Sequence, residues 1–116
     1  PVALAPASKN AAQVINALKV IDYFDFVVDA ATIAHSKPDP EIFLAAAAGL
    51  KMEPSTIIGF EDAPAGVLAL NSAGIYSVGI GSEVELDFAE IVFSSLSDFL
   101  IFDAFAISDR KISISL

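Results

Sequence analysis

Short apolar runs alternate along this chain with segments in which apolar residues recur at helical spacing. The runs have the length and β-branched content of strands. The intervening segments, about ten residues long, predict helices that connect parallel strands. The pattern therefore predicts an α/β fold: a parallel sheet with helices on both faces. Strands are predicted at Pro1–Ala5, Phe26–Val28, Thr56–Phe60, Tyr76–Ile80 and Ile91–Phe93, and helices at Ala11–Val20, Glu41–Leu50, Val67–Ala73 and Ser97–Phe105.

Local signals mark where several of these elements begin and end. Asp39 can cap the helix that follows it, Pro40 suits a first-turn position, and Glu41 favours the positive end of the helix dipole. Gly74 is a helix stop. The tail, Asp109–Leu116, alternates Ile with Ser, which predicts either an edge strand or a disordered segment.

Composition limits the kind of protein this can be. With 116 residues the chain makes one small domain, 1–116, and 55% of its residues are hydrophobic. No apolar run approaches the roughly 18 residues of a membrane span, and no signal peptide is visible. The absence of cysteine suits a cytoplasmic protein. A net charge of −9 weighs against nucleic acid as a partner.

Two adjacent acidic residues follow one of the predicted strands. Glu61 and Asp62 come directly after Thr56–Phe60. In a parallel sheet, ligands bind at the carboxyl ends of the strands, and Mg²⁺ commonly takes one or two carboxylates together with substrate phosphate oxygens. The pair therefore predicts a metal site. The alternative is that Asp62 caps the helix that Pro64 begins, with Glu61 solvated in a loop.

Phosphate-binding groups are predicted in two other turns. Ser8, Lys9 and Asn10 lie before a predicted helix, where backbone N–H groups and the dipole favour anions; alternatively, Ser8 or Asn10 is only an N-cap. Lys37 lies in a later loop of a chain that has six basic residues, and would bind phosphate or simply be solvated. His35 is interpreted as structural, because no other metal-ligand residue is spaced to join it.

Three stretches carry a resemblance to a known superfamily: Ala3 to Asn10, Ser36 to Phe43 and Gly59 to Gly66. With them the chain resembles the haloacid dehalogenase superfamily, most closely its β-phosphoglucomutase-like members, from Val2 to about Phe105. The resemblance implies a Rossmann-like core domain. It also implies that the chain is the C-terminal portion, since the Asp-x-Asp nucleophile motif and the cap domain that precede this region are absent.

The resemblance also implies roles for individual residues. Lys37 would be catalytic by binding the transferring phosphate, and Glu61 and Asp62 would hold Mg²⁺. The phosphate-binding positions would run from the end of the first strand onward, with the last three anchoring the substrate's second phosphate: Pro6, Ala7, Ser8, Lys9 and Asn10. Pro6 departs from the family pattern, because it stands where a Ser or Thr hydroxyl usually binds the transferring phosphate and offers neither a hydroxyl nor an N–H.

By resemblance, the complete protein would interconvert β-glucose 1-phosphate and glucose 6-phosphate with Mg²⁺, through a phospho-aspartate supplied by an N-terminal segment, and this chain alone would be inactive. The alternatives are a sugar-phosphate phosphatase of the same superfamily and a non-catalytic phosphate- or metal-binding α/β module. In the family, the first-motif strand lies between the strands predicted at Val2–Ala5 and Thr56–Phe60. We therefore expect an N-terminal segment or another chain to fill that position.

Overall fold

The structure of the chain is a computed structural model that describes residues 1–6, 24–95 and 111–114. Its central feature is a six-stranded sheet in which every pair of neighbouring strands is parallel. The strand order is β2-β1-β6-β3-β4-β5. The predicted α/β class is confirmed. The strands are β1 (Val2–Leu4), β2 (Phe26–Val27), β3 (Ile57–Glu61), β4 (Tyr76–Ile80), β5 (Ile91–Phe93) and β6 (Lys111–Ile114).

Strand β3 is shifted by one residue from its predicted position. Thr56 ends a short 3-10 helix, Pro54–Thr56, and its Oγ1 donates to the Glu53 carbonyl oxygen at 2.7 Å. That local bond keeps Thr56 out of the sheet. At the other end the strand includes Glu61, and all five residues of β3 are buried. The carboxylate predicted for the loop after the strand is therefore part of the strand.

Two α-helices are described. Helix α1 (Glu41–Leu50) has its predicted bounds, and the Asp39 carboxylate accepts a hydrogen bond from the Glu41 N–H at 2.9 Å. Helix α2 (Pro64–Ala73) begins three residues earlier than predicted, because proline at the first position already has a helical φ. As predicted, it ends at Gly74, whose φ of 76° lies in the left-handed region.

The core lies on both faces of the sheet. On one face, α1 and α2 pack together with β1 and β3 in a single apolar cluster that includes Phe43, Leu70 and Ile57. Side chains of opposite parity, Ile58 and Phe60, form a second cluster with Val78 on the other face. The predicted helices Ala11–Val20 and Ser97–Phe105 lie outside the described residues. No helix in the described ranges is long and apolar enough to cross a membrane.

Strand β2 is one residue shorter than predicted, and the predicted loop 29–36 contains a short 3-10 helix, Ala30–Thr32. Asp29 is the N-cap of that helix, and its side chain accepts a hydrogen bond from the Ala31 N–H at 2.9 Å. Strands β4 and β5 match their predicted bounds, although β5 is not the last strand.

The centre of the sheet corrects one prediction. Strands β1 and β3 are not paired with each other, and β6 of the same chain lies between them. Ile112 is in register with Val2 on one side and Ile58 on the other. The expectation of an edge strand or a disordered tail was wrong. The physical reason is that a strand between two parallel neighbours bonds on both sides, satisfying N–H and C=O groups that would otherwise be unpaired. That an N-terminal segment or another chain takes this position in a longer protein stays a prediction.

Candidate active site

A buried ion pair lies at the carboxyl edge of the sheet. Lys37 is in the loop between β2 and α1, and Glu61 is the last residue of β3. The Lys37 Nζ donates to Glu61 Oε1 at 2.5 Å, and the two side chains are 12% and 2% exposed. The structure therefore brings together two of the predicted site residues, and it corrects the alternative that either of them is a solvated loop residue.

An aromatic ring from helix α1 supports the lysine. The Lys37 Nζ lies 4.9 Å from the centroid of the Phe43 ring, within the range of a cation–π contact. Phe43 is fully buried in the core. The contact was not predicted, because it depends on how the loop folds back over α1. In the sequence, only the separation of six residues between Lys37 and Phe43 could have indicated this contact.

This pairing has electrostatic consequences. Moving two charges out of water is costly, and the pair repays that cost only while both partners are present. The buried carboxylate therefore fixes the ammonium at the sheet edge, and each charged group is the other's buried partner there. The site presents a positioned cation next to a positioned anion, an arrangement suited to binding a phosphate group together with its counter-ion.

Asp62 lies in a different environment from Glu61. It is exposed, and it follows the end of β3. The N-cap position of α2 belongs to Ala63, which makes no side-chain capping hydrogen bond. The alternative interpretation of Asp62 as the cap of this helix is therefore wrong. A carboxylate without that role, next to a second carboxylate at the sheet edge, is available as a ligand.

The described residues supply part of a magnesium site. No group of three or more His, Cys, Asp or Glu side chains that could hold a metal ion occurs within 1–6, 24–95 and 111–114. Two carboxylates nevertheless match the one or two that Mg²⁺ takes from a protein when water and substrate phosphate provide its other ligands. Glu61 and Asp62 thus fit such an ion in number and chemistry, with Glu61 Oε1 already bonded to Lys37.

A cavity of about 340 Å³ opens next to the ion pair. Its walls are mostly apolar, with Lys37 and Ser36 as the polar contributions, so it has room for a small ligand with one charged group. The predicted phosphate position Pro6 is buried and forms part of the wall. The other four, Ala7, Ser8, Lys9 and Asn10, lie outside the described residues. The lining residues are Pro6, Ala30, Ile33, Ala34, Ser36, Lys37 and Ile42.

Another acidic side chain organises the rim of this cavity. The Glu41 carboxylate accepts hydrogen bonds from the Ala34 N–H and from the His35 N–H, the latter at 3.4 Å, and its Oε1 lies 3.1 Å from the His35 Nδ1. The hydrogen bond from the His35 side chain is the main reason why the pKa of Glu41 lies below its ordinary value of 4.5. The sequence predicted Glu41 only as a helix-dipole partner. In the structure, Glu41 holds the loop that contains the cavity-lining residue Ala34. His35 contacts Glu41, which agrees with its interpretation as a structural residue.

Comparison with known proteins identifies related sequences and structures. The profile of the haloacid dehalogenase-like hydrolase family matches residues 3–74. The chain is 42% identical over 97 residues to the β-phosphoglucomutase of Bacillus subtilis, covering 84% of this chain and 43% of that protein. It is also 42% identical over 66 residues to the validoxylamine A 7'-phosphate phosphatase of Streptomyces hygroscopicus subsp. limoneus, covering 57% of this chain and 31% of the relative.

A crystal structure of β-phosphoglucomutase from Clostridium difficile superposes with a TM-score of 0.80 at 47% identity, covering 83% of this chain and 43% of that one. The chain therefore spans less than half the length of these relatives. The residues matched by the family profile include the loop that contains Lys37 and the strand that ends at Glu61. On this evidence the chain belongs to the haloacid dehalogenase-like hydrolase family.

Proposed function

We propose that the protein to which this chain belongs is a Mg²⁺-dependent phosphomutase that interconverts β-glucose 1-phosphate and glucose 6-phosphate. The observation that carries the proposal is the buried Lys37–Glu61 pair, whose lysine lines the cavity. Similarity to β-phosphoglucomutases at 42% and 47% identity supports this choice of reaction within the family. The phospho-aspartate of the reaction would come from a segment outside this chain.

In this proposal Lys37 binds the transferring phosphate. The Lys37 ammonium lies beside the cavity and has Glu61 Oε1 as one partner. Phosphate oxygens that enter the cavity can therefore contact the ammonium without a large movement of the lysine side chain. A charge-assisted contact of this kind is worth roughly 1.5–3 kcal/mol. The positive charge offsets the phosphate charge that would repel a nucleophile.

Glu61 and Asp62 would hold the metal ion. When bound, Mg²⁺ neutralises phosphate oxygens and polarises the phosphoryl group. Glu61 contributes from within the sheet, where burial and the ion pair hold its carboxylate in place, whereas exposed Asp62 can adjust to the ion.

The substrate's second phosphate would be held by the turn after β1, through Ala7, Ser8, Lys9 and Asn10. Pro6 would shape the pocket without donating a hydrogen bond, because proline has no N–H. Two phosphate-binding positions, one near Lys37 and the other at that turn, suit a phosphorylated sugar as the class of substrate. The absence of cysteine from the chain favours a cytoplasmic location for the protein.

A second candidate is a sugar-phosphate phosphatase. The similarity to validoxylamine A 7'-phosphate phosphatase favours it, since the same site would release phosphate if water replaced a sugar hydroxyl as the acceptor. A non-catalytic module that binds phosphate or metal is the third, because the described acidic residues provide only part of a metal site.

The test is to express the complete reading frame that encodes this chain and to follow β-glucose 1-phosphate with Mg²⁺ by ³¹P NMR. Glucose 6-phosphate as the product supports the mutase, and inorganic phosphate supports the phosphatase. Neither product would contradict both enzymes and leave the binding module. In the active protein, Lys37→Ala should slow turnover at least about tenfold, since one decade is about 1.4 kcal/mol.

A further inference from the structure

A glycine in the first turn of α2 lies directly against the Glu61 carboxylate. Gly66 is the third residue of that helix and is buried. A Cβ atom built on it would overlap the carboxyl carbon and both carboxylate oxygens of Glu61. No real side chain tolerates such a contact, so the space occupied by the carboxylate exists only because residue 66 is glycine.

The carboxylate is thus bounded on two sides by the protein. Gly66 lies at one side, and the ammonium of Lys37 lies at the other, 2.5 Å from Oε1. The first turn of a helix also carries unsatisfied N–H groups and a partial positive charge, which favours an anion there. With only 2% of the Glu61 side chain exposed, the carboxylate has little free space, so a shift away from Gly66 must change its contact with Lys37.

We propose that Gly66 is a positioning residue for Glu61: its missing side chain lets the carboxylate rest against α2 at the point where it reaches Lys37. A methyl group at residue 66 meets the end of a side chain with three rotatable bonds, not backbone. The carboxylate is therefore the part that moves, and the main consequence is a displaced anion rather than a displaced helix.

Another glycine provides a matched control. Gly49 is also helical, in the last turn of α1, and a Cβ there would overlap the ring of Phe26 in β2. Gly49→Ala therefore adds the same methyl group to an equally crowded position on the other helix, without touching Glu61. An effect due only to crowding appears in both variants, and an effect on the carboxylate appears only in Gly66→Ala.

A double-mutant cycle tests the proposal in the 116-residue chain. Glu61→Asp withdraws the carboxylate by one carbon–carbon bond, about 1.5 Å, and makes room for a methyl group at residue 66. We expect Gly66→Ala to raise the unfolding equilibrium constant at least about tenfold with Glu61 present and less than about threefold in Glu61→Asp. Equal effects in the two backgrounds would overturn the proposal. Gly49→Ala should show no such coupling to Glu61→Asp, and coupling of the same size would also overturn it.

A spectroscopic measurement covers the case in which Gly66→Ala does not fold. In the doubly substituted chain, Gly66→Ala with Glu61→Asp, the ¹⁵N signal of the Lys37 ammonium should match that of Glu61→Asp alone. A signal that differs from that of Glu61→Asp alone would contradict the proposal, since the methyl group would then be disturbing something other than the carboxylate. If Gly66→Ala folds, its own Lys37 signal should differ from that of the unsubstituted chain, and an unchanged signal would overturn the proposal.

The part of the inference that concerns the metal rests on the proposed function. If Glu61 is a ligand, Gly66→Ala should weaken Mn²⁺ binding, followed by electron paramagnetic resonance, by about 10–100-fold, as is typical when a residue supporting a ligand is changed. If the unsubstituted chain binds no Mn²⁺ while the coupling between residues 66 and 61 is present, the metal role fails and the positioning role stands. If Mn²⁺ binds and Gly66→Ala leaves it unchanged, the positioning role fails and the metal site stands.

Discussion

Lys37 and Glu61, 24 residues apart in sequence, share a hydrogen bond between two nearly buried charged groups. The lysine comes from the loop before α1 and the glutamate from the end of β3, so the pair ties two βα units together at one edge of the sheet. The same bond that holds the candidate active site therefore also contributes to the fold, and the two contributions can be separated by experiment.

Removing the cation alone should be costly. In Lys37→Met the Glu61 carboxylate stays buried without its positive partner, and we expect the chain to lose about 3–5 kcal/mol of unfolding free energy. Urea denaturation followed by circular dichroism measures the change.

The control for this prediction is the double variant Lys37→Met with Glu61→Gln. It removes both charges and keeps the shape of the glutamate side chain, so it should recover more than about half of the loss. A single variant as stable as the unsubstituted chain would show that the pair contributes nothing to stability.

Strand β6 should be essential to the sheet. Ser113 pairs with Ala3 on one side and Gly59 on the other. Proline at that position removes a backbone donor and cannot lie in a central strand, so Ser113→Pro should destabilise the chain by about 3 kcal/mol or more. Thermal melting compares it with Ser113→Ala, which keeps the N–H and should melt close to the unsubstituted chain. Equal melting of both variants would mean that β6 is dispensable.

The hydrogen bonds of Glu41 with the His35 side chain and with the 34–35 backbone should make stability depend on pH. The pKa of Glu41 is lowered in the folded state, chiefly by the His35 side-chain hydrogen bond, so the ionised form favours folding. This stabilisation is present above the ordinary pKa of 4.5 and is lost as the pH falls through the lower folded value. The melting-temperature difference between the unsubstituted chain and Glu41→Gln should therefore shrink between about pH 6 and about pH 3. A difference independent of pH would contradict this origin.

A buried hydroxyl should matter on strand β4. The Ser77 Oγ donates to Asn71 Oδ1 at 2.6 Å and accepts from the Glu90 N–H at 3.1 Å, and it is fully buried. Ser77→Ala leaves both partners without this bond, and we expect a loss of about 1–3 kcal/mol in chemical denaturation. The control Ser72→Ala removes an exposed hydroxyl from α2 and should change stability by less than about 0.5 kcal/mol.

Magnesium binding by this chain alone should be weak, because the described residues offer only two carboxylates at the site. Calorimetry should find weak binding that Asp62→Asn removes. Tight binding that survives this substitution would mean that Asp62 is not a ligand. Asp87→Asn, in an exposed loop, is the control for a general effect of charge.

Local signals predicted much of the fold. Helix α1 was predicted to the residue, because Asp39, Pro40 and the apolar spacing all act within a few positions of one another. Helix α2 was predicted too short, since three residues with little apolar content precede Val67, and its start depends on the fixed φ of Pro64. Thr56 was assigned to a strand by its β-branched side chain, although a hydrogen bond to Glu53 holds it in a turn.

The candidate site was predicted as residue types and not as contacts. The order of residues along the chain identified Lys37, Glu61 and Asp62, and parallel topology placed them at one edge. Their direct pairing, and the burial of Glu61 against Gly66, depend on how a loop and a helix meet in three dimensions. The central position of β6 was missed for the same reason. An alternating Ile–Ser segment predicts a strand, but its neighbours are decided by which backbone groups elsewhere lack partners.

The place of β6 also constrains the order in which this sheet can form. The pair β2-β1 and the trio β3-β4-β5 are each built from strands close together in sequence, so each can begin to assemble locally. Within the sheet the two blocks join through β6, whose Ile112 is in register with Val2, a residue far away in the sequence. Such long-range pairing loses loop-closure entropy before the stabilising contacts between the strands have formed. Insertion of β6 should therefore be among the slow steps in forming this sheet, whereas the β2-β1 and β3-β4-β5 pairings can form early.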